Sequence, residues 1–343
     1  MTRDKKISEL GEFGLISRIA AGVFAPDNVI TGIGDDAAVT VTDQGMQLLT
    51  STDMLLEDVH FRRRWHDPYR LGRKSLAVNI SDIAAMGAIP RWALLSLAMP
   101  SDLPLNFLDD FTRGFLSMAG EHGVTLIGGD TCSSRSGLVI SVTVMGEQLP
   151  ALILRRSGAR PGDDVWVTGT LGDAAMGLKL LEDGCVPSPL TGEGQGGGDY
   201  LVSRQLDPTP RSAAGLALAG AGLVTAMIDI SDGILADFGH IAEMSGVGAT
   251  LRLNDLPVSV PFRTAVRAFP QFPHHLVLSG GEDYELCFTA APIHREKITE
   301  LLKKCSLAGM PVGIVTSSPE VQVLDADGAS FLPKKQGFNH FAP

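Results

Sequence analysis

Cysteine is scarce in this chain of 343 residues, which contains only Cys132, Cys185, Cys287 and Cys305. They lie far apart, and no two of them form a C-x-x-C pair. This pattern argues against both a disulfide framework and a zinc site, and it suits a reducing compartment. We therefore expect a cytoplasmic protein.

Long apolar stretches are also missing. No run approaches the roughly 18 apolar residues that a membrane span requires, so we expect no membrane segment. Residues 1–10 are polar and mixed in charge, which does not fit a signal peptide.

Positive charge is sparse, and the formal net charge is −11. The one basic cluster, Arg62 to Arg64, is too short to form a face for nucleic acid, so no nucleic-acid partner is expected. An acidic protein can still bind phosphates when its carboxylates hold divalent cations.

The common glycine motifs for nucleotides are absent or out of context. No G-x-x-x-x-G-K-[ST] sequence occurs, which excludes a P-loop enzyme. Gly32-x-Gly34-x-x-Ala37 fits the dinucleotide pattern, but Asp35 and Asp36 inside it would repel a pyrophosphate. It also leads into an extended stretch, whereas a dinucleotide site requires a helix there.

Length and composition fit two domains of ordinary globular character, with 44% hydrophobic and 20% charged residues. Around Leu149 to Asp164 the composition shifts to Pro, Gly, Arg and Asp. We therefore predict an N-terminal domain over residues 1–150 and a C-terminal α/β domain over residues 151–343.

Hydrophobic periodicity predicts alternating strands and helices, and hence the α/β (α+β) fold class. The predicted strands are Gln47–Thr50, Trp92–Met99 (a buried one), Val124–Ile127, Leu138–Met145, Val165–Thr168, Ala226–Ile230 and Tyr284–Thr289. The predicted helices are one around Phe13–Ile19, Tyr69–Met86, Leu108–His122, two that begin at Asp173 and Ile234, and Glu296–Lys304.

Acidic residues recur in turns. The segments are Gly34-Asp35-Asp36, Ser51-Thr52-Asp53, Asn79-x-x-Asp82, Gly128-Gly129-Asp130-Thr131, Asp229-x-Ser231-Asp232-Gly233 and Ser279-Gly280-Gly281-Glu282-Asp283. Each segment taken singly is typical of a turn or a helix cap.

Two details favour a metal site instead. Asn79 and Asp82 are one turn apart on an otherwise apolar helix, where a carboxylate is costly unless it is paired or bound to metal. Asp53, Asp130 and the segment Asp229 to Asp232 each follow an apolar strand, the position where α/β folds collect ligands. Carboxylate and hydroxyl oxygens favour Mg²⁺ over zinc.

Three further residues do not indicate a function when each is taken alone. His60 is typical of a surface histidine, Arg156 is typical of a solvated turn, and Phe338 is typical of a core residue.

Read together, the motifs resemble those of the thiamine-monophosphate kinases, within the aminoimidazole-ribonucleotide synthetase-like superfamily. The resemblance runs nearly end to end, so it is more specific than any single motif. The segments, in order, are GEF, GIGDDAAV, STDMLLEDVHF, KSLAVNISDIAAMGA, LIGGDT, RRSGARPGD, VTGTLGD, DISDG, SGGEDYELCF and GFNHF.

This resemblance implies ATP-dependent phosphorylation of thiamine phosphate to thiamine diphosphate, with several Mg²⁺ ions. It also implies a two-domain fold whose N-terminal domains bind ATP and Mg²⁺ and pair their sheets in a homodimer.

Site residues follow from matching motif by motif. The implied metal ligands are Asp36, Ser51, Thr52, Asp53, Asp82, Asp130, Asp229 and Asp232, of which Asp53, Asp130 and Asp232 are expected to be catalytic. ATP contacts are expected from Gly129, Asp130, Arg156 and Ser231. Thiamine phosphate is expected at His60, Glu282 and Phe338.

Two features depart from the family pattern. Position 338 is often Tyr or Trp in the family, so Phe338 can stack but has no hydroxyl to donate. The Gly-rich segment over residues 187–198 resembles an insertion, and we assign it no function.

Other activities of the superfamily are the main alternatives: synthesis of aminoimidazole ribonucleotide, formylglycinamidine or selenophosphate. A selenophosphate synthetase would need a cysteine in its N-terminal glycine loop, and none precedes Cys132. A non-catalytic nucleotide or metal sensor is the alternative from a different class.

Overall fold

The structure is a computed structural model. It describes residues 29–31, 35–36, 38–41, 45–184, 197–267, 273–331 and 337. The helix predicted around Phe13–Ile19, most of the Gly-rich segment and Phe338 lie outside these residues. Among the described helices, none is long and apolar enough to cross a membrane.

The first half of the chain builds a six-stranded sheet. Its strands are β1 (Val29–Thr31), β2 (Ala38–Val41), β3 (Gln47–Leu56), β4 (Ile89–Pro100), β5 (Thr125–Ser134) and β6 (Val139–Gln148). They lie in the order β1-β2-β3-β6-β4-β5. The neighbours are antiparallel except β4 and β5, which are parallel.

Two helices, α1 (Pro68–Ala85) and α2 (Leu105–His122), pack with this sheet in one apolar core. Helix α1 begins where Asp67 Oδ1 accepts a hydrogen bond from the Arg70 amide at 3.0 Å and Pro68 occupies the first turn. Leu76, Ile80 and Ile83 are fully buried, which confirms the predicted apolar face.

The second half builds another six-stranded sheet, in the order β12-β9-β11-β7-β10-β8. Its strands are β7 (Asp164–Thr168), β8 (Val224–Asp229), β9 (Gly248–Arg252), β10 (Leu286–Ala290), β11 (Gly309–Thr316) and β12 (Val321–Leu324). The accompanying helices are α3 (Asp173–Glu182), α4 (Gly197–Leu206), α5 (Ser212–Ala221), α6 (Ile234–Ser245), α7 (Val260–Val266), α8 (Pro273–Ser279) and α9 (Arg295–Lys304).

Helix α1 is buried between the two halves. Its far end packs closely on α5, because a Cβ added at Gly215 would lie 2.1 Å from the Ala84 carbonyl oxygen. Along the helix, Ser81 Oγ donates to the Asp229 carboxylate at 2.6 Å and Arg73 Nε donates to Asp207 at 2.9 Å. One helix therefore contacts residues of both halves of the chain.

Two expectations about strands are wrong. Asp53 and Asp130 do not follow strands but lie inside β3 and β5, because β3 continues to Leu56 in pairing with β6, and β5 continues to Ser134 along β4. The strand at Trp92–Met99 is not buried throughout. Its inward residues Ala93 and Leu97 are buried, whereas Trp92 on the other face is 36% exposed.

Candidate metal and phosphate site

Three carboxylates from distant parts of the sequence converge beside helix α1. Oxygen atoms of Asp36, Asp82 and Asp229 lie within 4.8 Å of one another. Asp82 comes from α1, Asp229 ends β8, and Asp36 precedes β2. One acidic residue from each of the motifs GIGDDAAV, KSLAVNISDIAAMGA and DISDG thus lies in this cluster.

Polar neighbours hold these carboxylates in place. Ser51 Oγ on β3 donates to Asp82, and Ser81 Oγ donates to Asp229 at 2.6 Å. Asn79 has a different role: its Oδ1 accepts a hydrogen bond from the Asp53 backbone amide at 3.0 Å. Asn79 therefore fixes β3 against α1, one helical turn before Asp82.

Burial and mutual repulsion raise the pKa values of these acids. Burial, and then the charge of Asp36, raise the pKa of Asp53 to about 6 and that of Asp229 to about 7. Burial, followed by the charges of Asp53, Asp229 and Asp36, raises the pKa of Asp82 well above its ordinary value. Ionising all of these carboxyl groups is therefore costly unless positive charge lies beside them.

One arginine supplies part of that charge. The Arg156 guanidinium contacts the Asp36 carboxylate, and its Nε lies 3.8 Å from Asp35 Oδ1. Asp36 Oδ2 and Arg156 Nε are both buried without a hydrogen-bond partner in the described structure. Burial raises the pKa of Asp35 to about 6 as well. A single guanidinium therefore does not balance the negative charge of the neighbouring aspartates.

These residues fit a bound Mg²⁺. They offer carboxylate and hydroxyl oxygens, and Asp36 Oδ2 is an oxygen with no other partner. Asp36, Asp82 and Asp229 would hold the ion, with Ser51 and Asp53 adjacent to them.

A buried carboxylate that the sequence did not single out organises the turn after β8. Asp237 Oδ2 on α6 accepts hydrogen bonds from the amides of Ser231, Asp232 and Gly233 at 3.1, 3.1 and 3.0 Å. The only signal in the sequence is an Asp four residues after Gly233. Asp237 fixes the backbone from which Ser231 and Asp232 project.

Two of the residues assigned to thiamine phosphate are described. His60 follows β3, and its Nδ1 accepts from the Leu56 amide at 3.0 Å. Glu282 lies between α8 and β10, and its Oε2 accepts from Lys74 Nζ at 2.9 Å. Phe338 lies outside the described residues.

Two of the assigned residues, Asp130 and Thr52, lie on the outer face of the N-terminal sheet and not with the carboxylate cluster. Asp130 pairs with Ser96 on β4, Ser96 pairs with Ser141 on β6, and Ser141 pairs with Met54 on β3, so Asp130 shares the face on which Met54 is 55% exposed. Thr52 shares this outer face, and its Oγ1 donates to the Val142 carbonyl oxygen at 3.0 Å. Gly129 leaves no room for a side chain, because its Cβ would lie 1.7 Å from the Leu95 carbonyl oxygen.

Comparison with known proteins identifies the family. The AIR synthase related protein N-terminal domain matches residues 34–148, and the C-terminal domain matches residues 160–326. Thiamine-monophosphate kinase of Escherichia coli K12 is 38% identical over 97% of this chain and 98% of its own length. The chain belongs to the thiamine-monophosphate kinase family. The thiamine-monophosphate kinase of Bacillus subtilis 168 is 36% identical over 97% of this chain and the whole of its own length.

Solved structures agree with the family assignment. AaThiL complexed with AMPPCP and TMP superposes with a TM-score of 0.85 at 33% identity, covering 99% of this chain and all of its own. Thiamine-monophosphate kinase from Stenotrophomonas maltophilia K279a gives a TM-score of 0.76 at 39% identity, covering 93% of this chain and 98% of its own. These findings confirm the family and the two-domain α/β fold that the resemblance implies.

A pH experiment tests the metal site in this family member. The pKa values of Asp53 and Asp229, about 6 and about 7, exceed the ordinary 3.8. Their contribution to stability is therefore complete below about pH 4 and is lost as pH rises through about 6 and 7. We expect the melting temperature of chelator-treated protein to fall between about pH 5 and 8, and Mg²⁺ to reduce that fall by binding the ionised carboxylates.

Thermal melts at stepped pH, with and without Mg²⁺, measure this effect. The Asp229→Asn variant is the control and should show a shallower fall without metal. A melting temperature that stays level, or a fall that Mg²⁺ leaves unchanged, would contradict the metal assignment.

Proposed function

We propose that this chain transfers the γ-phosphate of ATP to thiamine phosphate, forming thiamine diphosphate. The similarity to thiamine-monophosphate kinases over nearly the whole chain carries this proposal. AaThiL, which is complexed with AMPPCP and TMP, supports ATP as the donor. The converging carboxylates could hold the divalent cations that a reaction between two anionic phosphates requires.

The acceptor in this reaction is itself a phosphate, ionised at neutral pH. It needs no general base, unlike the hydroxyl acceptor of a protein kinase. The protein must instead align donor and acceptor for in-line transfer and offset the repulsion between two polyanions.

Magnesium is the proposed metal, with more than one ion. When bound, Mg²⁺ supplies positive charge that offsets the charge of both phosphates. The acids proposed to hold the ions are Asp36, Asp53, Asp82, Asp130, Asp229 and Asp232, with Ser51 and Thr52. Asp36, Asp82 and Asp229 have the strongest support, because their oxygens already converge.

The ATP phosphates are assigned to the Arg156 side of the cluster. Arg156 has a buried Nε without a hydrogen-bond partner in the described structure, which suits an anionic ligand. Ser231 lies on the turn that Asp237 fixes. Gly129 and Asp130 complete the proposed set through the family motif.

Thiamine phosphate is assigned to Glu282 and His60 through the family motifs. His60 Nδ1 accepts a hydrogen bond from the Leu56 amide at 3.0 Å, which fixes the orientation of the ring beside the end of β3. Phe338 is proposed to stack on an aromatic ring of the substrate.

A product assay tests the proposed function. Purified protein incubated with ATP, Mg²⁺ and thiamine phosphate should form thiamine diphosphate and ADP in equal amounts, resolved by chromatography. Absence of thiamine diphosphate in a folded preparation would overturn the proposal.

We also propose that the chain forms a homodimer through the outer face of its N-terminal sheet. That face carries exposed apolar side chains, including Met54 and Trp92, and the edge strand β5 is largely exposed. Exposed apolar area of this kind marks interaction sites.

Sedimentation tests this dimer. We expect about twice the chain mass of 36.3 kDa at micromolar concentration. Met54→Glu should shift the protein toward monomer, whereas Ile293→Glu, at an 86% exposed position in the other half, should not. A monomeric wild-type chain would refute the dimer.

A further inference from the structure

Lys74 on helix α1 is a charged side chain with no exposed surface. Its ammonium group donates to the Gln205 carbonyl oxygen and to Glu282 Oε2, both at 2.9 Å. A buried cation is costly unless such partners satisfy it. Glu282 lies 208 residues further along the chain, so the pair ties α1 to the second half.

The Glu282 carboxylate is held on one oxygen only. The Gln205 amide group donates to the same Oε2 that Lys74 contacts. The Glu282 side chain remains 25% exposed, and no described group donates to Oε1. Lys74 and Gln205 therefore anchor one oxygen and leave the other for a ligand.

The backbone at Glu282 is also constrained. Its φ is 69°, in the left-handed region that residues other than glycine seldom adopt. The Glu282 amide donates to the Ser231 carbonyl oxygen at 2.7 Å. Backbone and side-chain contacts together define the direction of this carboxylate.

Helix α1 connects this anchor to the carboxylate cluster. Lys74 and Asp82 are eight residues apart on the helix, which corresponds to about 12 Å along its axis. Because the helix is rigid and buried, it sets the spacing between Glu282 and the metal-binding acids.

We propose that Lys74 is a positioning residue that holds Glu282 for the acceptor, at a distance from the metal cluster set by α1. This inference rests on the proposed function, which assigns Glu282 to thiamine phosphate. Lys74 itself contacts no substrate in this scheme.

Steady-state kinetics with both substrates test this role. Lys74→Met should raise the KM for thiamine phosphate at least about tenfold, while the KM for ATP changes less than about twofold. Glu282→Gln should give the same pattern. The double variant Lys74→Met with Glu282→Gln should be no worse than Glu282→Gln alone, because both changes remove one interaction.

Arg73→Met is the matched control. Arg73 neighbours Lys74 on α1 and also bridges the halves, through Asp207 and Glu121, but it does not touch Glu282. Its loss should lower the melting temperature without changing the KM for thiamine phosphate. If Lys74→Met fails to fold, Gln205→Met removes the second donor to Oε2 and should also raise that KM.

The outcomes separate the two claims. A folded wild-type protein that does not use thiamine phosphate overturns the proposed function and the acceptor role of Glu282 with it. An active wild type whose Lys74→Met or Gln205→Met variant keeps its KM for thiamine phosphate overturns the positioning role alone. Equal effects on both substrates would show that Lys74 is merely structural.

Discussion

Asp82→Asn lowers turnover by about 10²- to 10³-fold while the protein remains folded; this is the expected result of removing one electrostatic element from the site. Asparagine keeps the size of the side chain and can still accept the Ser51 hydroxyl hydrogen bond. What it removes is a negative charge from three converging carboxylates. We expect the same loss for Asp53→Asn, whose backbone amide is held by Asn79.

These variants should lose activity without losing stability. The raised pKa of Asp82 reflects burial and repulsion from Asp53, Asp229 and Asp36, so removing its charge relieves a cost in the metal-free protein. Melting curves without Mg²⁺ should therefore show no loss of stability, while assays with saturating Mg²⁺ show the loss of turnover.

A surface variant serves as the control. Asp110 forms an exposed ion pair with Arg113 on α2, away from the cluster, so Asp110→Asn should leave turnover unchanged. Near-normal turnover in both purified Asp82→Asn and Asp53→Asn would refute the assignment of the cluster.

Asp130 provides a separate test, because the structure places it on the outer face of the sheet. The family motif predicts that Asp130→Asn also lowers turnover at least about 10²-fold. Normal activity in this variant would remove Asp130 from the ligand set without affecting Asp36, Asp82 and Asp229.

Free thiamine should be a very poor acceptor, by at least about 10³-fold relative to thiamine phosphate, because it brings no ionised phosphate to attack the donor. Its hydroxyl would need a general base. The acids of the cluster are assigned to metal, and His60 Nδ1 already accepts the Leu56 amide. The negative acceptor phosphate is also what a cation-rich site can align.

Chromatography of parallel reactions measures this selectivity. Each reaction contains the same protein, ATP and Mg²⁺, with either thiamine or thiamine phosphate, and a third contains chelator. Thiamine diphosphate should form only from thiamine phosphate and only with metal. Comparable phosphorylation of free thiamine would contradict the mechanism, as would full activity in chelator.

Periodicity predicted the types of the main elements but misjudged some of their ends. The polar residues Ser51 to Asp53 suggested that a strand had ended, although β3 continues to Leu56. Pairing with β6 supplies hydrogen bonds along the whole of β3, so tertiary contacts outweigh local polarity.

Contacts that hold the site were harder to predict than the acids themselves. Asp237 appears in the sequence as an ordinary residue of an amphipathic helix, yet it binds three backbone amides. Lys74 appears as an ordinary helix former, yet it is a buried cation. Neither has a local signal, because their partners come from other elements.

The sequence by itself determined the family, through the order of its motifs; it contains no P-loop motif, no C-x-x-C pair and no apolar run of membrane-spanning length. It also determined that Asn79 and Asp82 share one side of a helix, because helical spacing is local. Only the tertiary structure decided that Asp82 meets Asp36 and Asp229, and that Thr52 and Asp130 face away from them. The register of strand pairing determines on which face of the sheet each side chain lies. Burial of apolar surface brings distant segments of the chain together. Both depend on contacts between residues far apart in the chain, such as Ser81 and Asp229 at a separation of 148.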